Sequence, residues 1–220
     1  LVLDRSDSMG GNGMDALVKA ADTFIDTLKD ASPDSQVAVV YFNGTQGDGN
    51  TTQSQNFTQL NKVQKVKSIK DFLTDNKKPS GGTPMGDALE KAKDLLDADQ
   101  TGNQKYVLFF TDGLPGYWKP DNTSDQYSRR NCMVANSAVK YANDIKAKAT
   151  IYTVGYKLSG KLYWHRGDSA TSYDDTEHGY YTTSYYGYEY HTNHESSTSA
   201  SEFLEKYIAT SVPEGSKYAY

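Results

Sequence analysis

Short apolar, β-branched and aromatic runs alternate with amphipathic helical segments along most of this 220-residue chain, and this alternation restricts its fold more than any other feature. Four runs are typical of buried β-strands: residues 1–3, 36–42, 106–111 and 150–155. Apolar residues recur at helical spacing in five other segments: 16–28, 63–73, 88–96, 131–148 and 201–210. Strand–helix–strand order favours parallel pairing. The chain is therefore predicted to be an α/β protein with a doubly wound, mostly parallel central sheet flanked by helices.

Two segments interrupt the alternation. Residues 43–59 are polar and rich in Gly, Thr and Gln, so they predict at most a short hairpin edge near residues 51–57. Residues 156–199 are far longer than the roughly 12–15 residues beyond which a loop is unusual in a compact domain. They hold half of the 18 tyrosines and all four histidines. We interpret them as a Tyr-rich insertion within a single domain, 1–220, whose tyrosines suit a binding surface and internal packing equally well.

Composition excludes several classes of protein. The formal net charge of -5 gives no electrostatic basis for binding nucleic acid. No run approaches the roughly 18 apolar residues of a membrane span. Cys132 is the only cysteine, so an internal disulfide and a thiolate metal cluster are both excluded. The first strand has three residues where about five or six are typical, and we therefore expect the chain to be part of a longer polypeptide.

Oxygen-bearing side chains gather where predicted strands end or where a helix begins. Five of them stand out: Asp4, Ser6, Ser8, Thr83 and Asp112. Sites in doubly wound sheets form at the carboxyl ends of strands, and oxygen ligands suit Mg²⁺, Mn²⁺ or Ca²⁺ better than zinc or copper. The simpler alternative is that Ser6 and Ser8 cap a helix while Asp112 ends a strand. Thr83 and Pro84 are themselves predicted to be the N-cap and first residue of the next helix.

The Asp-x-Ser-x-Ser, Thr and Asp elements, in this order, resemble the von Willebrand factor type A domain and its metal-ion-dependent adhesion site. The resemblance implies that Ser6, Ser8 and Thr83 bind the metal directly, whereas Asp4 and Asp112 act mostly through water molecules or as acceptors behind the direct ligands. It implies Mg²⁺, with Mn²⁺ or Ca²⁺ as alternatives, and a coordination position left open for an acidic side chain of a partner. Asp7 departs from the small residue usual in the motif, and its carboxylate either points to solvent or raises affinity for Ca²⁺ or Mn²⁺.

The function that this resemblance implies is adhesion. The surface composition and the insertion are similar to those of A domains in pilus-tip or wall-anchored adhesins of Gram-positive bacteria, so the expected location is the bacterial cell surface or pilus. The expected partners are an extracellular-matrix or host-surface protein and other domains of the same polypeptide. Tyr117 and Trp118 follow Asp112 and would either contact that ligand or cover the end of the sheet. The alternative is a non-adhesive A domain that serves as a metal-dependent docking module in a protein complex.

The sequence gives little support for an enzymatic function. There is no phosphate-binding Gly-x-x-x-x-Gly-Lys-Ser/Thr and no Gly-x-Ser-x-Gly nucleophile elbow. Ser6 and Ser8 have no histidine in their motif to activate them. The histidines, at positions 165, 178, 191 and 194, have no recognisable set of partner ligands and are interpreted as solvated loop residues. We therefore predict that the protein is not an enzyme.

Overall fold

Five strands form the central sheet of the computed structural model, which describes residues 1–45, 47–116, 124–165, 180–183 and 196–211. They are Val2–Asp4 (β1), Gln36–Phe42 (β2), Thr52–Gln59 (β3), Tyr106–Thr111 (β4) and Thr150–Gly155 (β5). Their order is β3-β2-β1-β4-β5, and every neighbouring pair is parallel except β2 and β3. The predicted mostly parallel sheet is confirmed.

Helices cover both faces of this sheet. They are Gly13–Ala31 (α1), Val63–Asp75 (α2), Met85–Ala98 (α3), Ser124–Lys146 (α4) and Ala200–Phe203 (α5), the last continuing as a π-helical turn over Leu204–Ile208. Successive residues of a strand point to opposite faces. Val39 and Tyr41 of β2 accordingly pack with α1 and α2, whereas Val40 and Phe42 pack with α3, α4 and the π-helical turn. The predicted doubly wound architecture follows from this two-sided burial.

Several element boundaries differ from those predicted. The hairpin edge is a full strand, β3, which pairs with β2 over almost its whole length. The predicted helix over 131–148 begins earlier, at Ser124. The predicted helix over 201–210 begins at Ala200 because Ser199 and Glu202 form a capping box. It ends at Ile208, since Thr210 bonds to the backbone of Ile151 instead.

The prediction that Thr83 caps α3 is wrong. Pro84 is the N-cap residue and the helix begins at Met85. The physical reason is that the Thr83 backbone pairs with Gly116, accepting and donating one hydrogen bond each at 3.1 and 3.0 Å. This pairing holds Thr83 outside the helix, so its side chain does not cap the first turn.

The segment after β5 carries strands of its own. Lys161–His165 (β6), Tyr180–Thr183 (β7) and Ser196–Ser199 (β8) form a separate antiparallel sheet in the order β7-β6-β8. β7 lies beside α4. Other predictions fall outside the described residues, namely those for Tyr117, Trp118, His178, His191 and His194. Among the described helices, none has the length and apolar character that crossing a membrane requires.

Candidate metal centre

The position of β1 in the sheet determines where the candidate site lies. β1 runs between β2 and β4 and is parallel to both, so its carboxyl end at Asp4 meets theirs at one edge of the sheet. The chain then turns through a short 3-10 segment, Asp7–Met9, which leads towards α1. Asp112 follows directly after β4. This edge therefore receives the Asp-x-Ser-x-Ser motif from β1 and a carboxylate from β4.

Asp4 lies at the bottom of the site and is fully buried. One of its carboxylate oxygens accepts a hydrogen bond from the Ser6 backbone N–H at 2.8 Å, and the other accepts from the Thr111 hydroxyl at 2.6 Å. Burial raises the pKa of Asp4 to about 6, although the hydrogen bonds from Thr111 and Ser6 oppose this shift. Asp4 thus holds the turn of the motif and the end of β4 together.

A chain of hydrogen bonds joins the two serines of the motif to Asp112. The Ser6 and Ser8 Oγ atoms lie 2.9 Å apart, and Ser8 Oγ donates to Asp112 Oδ1 at 2.7 Å. Ser6 is buried and Ser8 is exposed, so the chain leads from the interior to the surface. Burial raises the pKa of the half-buried Asp112, and the hydrogen bond from Ser8 lowers it in part.

Thr83 reaches the same edge from the loop before α3. Its hydroxyl lies 3.8 Å from the position that a Cβ atom would take on Gly113, the residue after Asp112. The hydroxyl makes no hydrogen bond to any residue that the structure describes, whereas the Thr83 backbone is fixed by Gly116. The structure therefore brings all five predicted residues to one edge of the sheet. Asp7 is exposed beside them.

The donor set fits a hard divalent cation. It consists of three hydroxyls and two carboxylates, which are the oxygen ligands that Mg²⁺, Mn²⁺ and Ca²⁺ prefer. Neither Asp4 nor Asp112 forms an ion pair with a side chain that the structure describes, so the site carries negative charge without a counterion there. Over the described residues there is no cluster of three or more His, Cys, Asp or Glu.

Thr111 is the residue of this site that sequence reasoning missed. It ends β4 directly before Asp112, is fully buried, and donates to Asp4. The available signal was a hydroxyl at the last position of an otherwise apolar strand, next to a predicted site residue.

Close contact between two glycines fixes the loop that carries Thr83. Gly81 has φ +70°, and a Cβ atom on it would lie 2.7 Å from Gly44 Cα. We expect Gly81→Ala to lower the free energy of unfolding by about 1–3 kcal/mol more than Gly102→Ala, because overpacking adds to backbone strain. Gly102 is the matched control, since it also has φ +70° but has nothing within 4 Å of the new atom. Urea unfolding measures both, and equal losses would show that the Gly44 contact carries no cost.

Comparison with known families defines the class of protein. The model of the von Willebrand factor type A domain matches residues 1–166. The chain belongs to this family. No curated protein sequence matches it.

Solved structures with the same fold include pilus proteins. The pilus adhesin SpaC from Lactobacillus rhamnosus GG is 17% identical with a TM-score of 0.58, over 72% of this chain and 24% of that one. The PilB minor pilin from Streptococcus sanguinis is 19% identical with a TM-score of 0.56, over 70% and 49%. A von Willebrand factor type A protein from Catenulispora acidiphila is 21% identical with a TM-score of 0.50, over 70% and 31%. This chain thus spans about half or less of each.

Proposed function

We propose that this domain is a cell-surface adhesion module that binds an extracellular-matrix or host-surface protein through a divalent metal ion. The observation that carries the proposal is the hydrogen-bonded chain from Ser6 through Ser8 to Asp112, which lies beside the Thr83 hydroxyl without a counterion among the described side chains. Membership of the von Willebrand factor type A family and the pilus proteins among the structural relatives support it.

Each site residue has a distinct role in this proposal. Ser6, Ser8 and Thr83 would hold the ion directly through neutral oxygens. Asp4 and Asp112 would stay behind them: Asp4 accepts from the Ser6 backbone N–H and would hold the turn of the motif, and Asp112 accepts from the Ser8 hydroxyl and would orient it. Mg²⁺ is the expected ion, with Mn²⁺ or Ca²⁺ as alternatives. When bound, it supplies an electrophilic position that an acidic side chain of the ligand completes.

The surroundings of the site would supply specificity. We propose that Tyr117, Trp118 and the insertion over 156–199 contribute ligand contacts, since aromatic side chains give large and stiff contact surfaces. The domain would act outside the cell, on a bacterial surface or pilus, joined to other domains of the same polypeptide. It would have no catalytic activity of its own.

Binding to a panel of immobilised extracellular-matrix proteins tests the proposal. With Mg²⁺ or Mn²⁺ we expect the wild-type domain to bind at least one of them, and we expect chelator to abolish that binding. Asp112→Ala should also abolish it, whereas Asp71→Ala should not, because Asp71 is an exposed carboxylate on α2 that pairs with Lys67 of the same helix. Surface plasmon resonance gives the comparison.

Two outcomes would count against adhesion through the metal. Binding that survives both chelator and Asp112→Ala would show that the ion does not bridge the partners. Metal binding without affinity for any protein of the panel would instead favour the docking-module alternative.

A further inference from the structure

Arg5 lies inside the Asp-x-Ser-x-Ser motif, but its side chain forms hydrogen bonds with residues outside the candidate metal centre. The residue is 8% exposed, and its guanidinium donates hydrogen bonds to three acceptors. Nε and Nη2 donate to Asn43 Oδ1 at 3.1 and 2.6 Å, while Nη1 donates to Gln53 Oε1 and to the Asn76 carbonyl, both at 2.6 Å. All three acceptors are uncharged. A guanidinium that is taken out of water therefore joins β1 to the end of β2, to β3 and to the end of α2.

Asn43 also forms hydrogen bonds with the loop that carries Thr83. Its Nδ2 donates to the Ser80 carbonyl at 2.9 Å and to Ser80 Oγ at 2.6 Å. The Ser80 backbone N–H in turn donates to the Arg5 carbonyl at 3.0 Å. Asn43 is itself buried, so its Asn-Gly-Thr pattern does not present an acceptor for a glycan. Arg5, Asn43 and Ser80 thus form a closed set of contacts three residues before Thr83.

We infer that Arg5 is a positioning residue for the candidate metal centre, because it fixes the Thr83 loop relative to Ser6 and Ser8 through Asn43 and Ser80. The inference rests on the proposed function in one respect, namely that Thr83 binds the ion. Arg5 is next to Ser6 in the chain, so one residue connects two of the segments that must supply ligands together. Lysine cannot replace it, since the planar fork of the guanidinium supplies several donors in fixed directions.

Metal titration of the folded domain tests this role. We expect Arg5→Lys to weaken Mn²⁺ binding about tenfold, the lower end of the effect of residues that orient metal ligands. Asn43→Asp should weaken it similarly, because aspartate keeps the acceptor for Arg5 but loses the donor to Ser80. The control is Ile69→Val, a fully buried residue of α2 away from the site, which should lower Tm and leave Mn²⁺ affinity unchanged.

A double-mutant cycle asks whether Arg5 acts through Thr83. In a Thr83→Ala background, Arg5→Lys should cause no further loss of Mn²⁺ affinity, because the ligand that Arg5 positions is already gone. Fully additive losses would overturn the inference, and so would wild-type affinity in both Arg5→Lys and Asn43→Asp. If Arg5→Lys does not fold, Asn43→Asp alone decides. Two failures of the proposed function give different results: a candidate site that holds no ion would leave the wild-type domain without Mn²⁺ binding, and a domain that binds Mn²⁺ but no matrix protein would leave the effect of Arg5 on Mn²⁺ affinity measurable.

Discussion

A Ser6→Ala/Ser8→Ala variant is expected to bind Mn²⁺ at least about a hundredfold more weakly than the wild-type domain, because two proposed metal ligands are lost together. The metal-free fold should change little. The two hydroxyls are hydrogen-bonded to each other at 2.9 Å, and replacing both partners of a hydrogen bond is far less costly than leaving one unsatisfied. Asp112 loses the hydrogen bond from Ser8, but it is only half-buried, so water can replace this donor. Isothermal titration calorimetry gives the affinity, and thermal unfolding in chelator gives the stability.

The chain contains a matched control for this pair. Ser32 and Ser35 follow α1, and their Oγ atoms are also 2.9 Å apart, but Ser32 is exposed, Ser35 is partly buried, and neither takes part in the candidate site. Ser32→Ala/Ser35→Ala should therefore keep wild-type Mn²⁺ affinity. Equal affinities for both double variants and the wild-type domain would show that the motif hydroxyls do not bind the ion.

Phe109→Ala is expected to lower the free energy of unfolding by about 3–5 kcal/mol, the usual range for removing a buried phenylalanine ring. Phe109 is fully buried in β4, and its ring stacks on that of Phe42 with centroids 5.4 Å apart. The cavity would open between the sheet and the helices packed on this face. Urea denaturation, with the unfolding slope compared between variants, measures the loss.

Tyr106→Ala on the same strand provides the contrast. Tyr106 is 54% exposed and stacks on Tyr152 at a centroid distance of 6.4 Å, so little apolar area returns to water on its removal. We expect a loss of about 1 kcal/mol or less. A similar loss for both variants would mean that burial does not determine the contribution of each aromatic side chain of β4.

The fold was predictable because local patterns determine it, whereas the five candidate site residues were identified by the resemblance of their motif to that of the von Willebrand factor type A domain. Helical spacing and apolar runs mark the helices and strands. Parallel strands bring their carboxyl ends to one edge of the sheet, so Asp4 contacts Thr111 although the two are 107 positions apart in the chain. Asp112 follows Thr111 and therefore reaches the same edge. The start of α4 was missed because its first turns are polar. The strand β8, Ser196–Ser199, has no apolar alternation and gives no strand signal.

The contacts that fix the site were not predictable in the same way. Arg5 and Asn43 are 38 residues apart, and the sequence around Arg5 gives no indication that its side chain contacts Asn43. Which polar groups pair in the interior depends on the packed arrangement of four elements. The conformation of Thr83 was not predictable either. Its sequence context predicts a helix cap, but its backbone pairs with Gly116.

The hydrogen bonds of the two motif serines also define a proton order. A hydroxyl has one hydrogen and two lone pairs. Ser8 gives its hydrogen to Asp112, so the hydrogen between the serines must come from Ser6. Both lone pairs of Ser6 and one of Ser8 then remain for a cation, without loss of any hydroxyl hydrogen. Cation uptake at this edge would therefore release no proton from the serines.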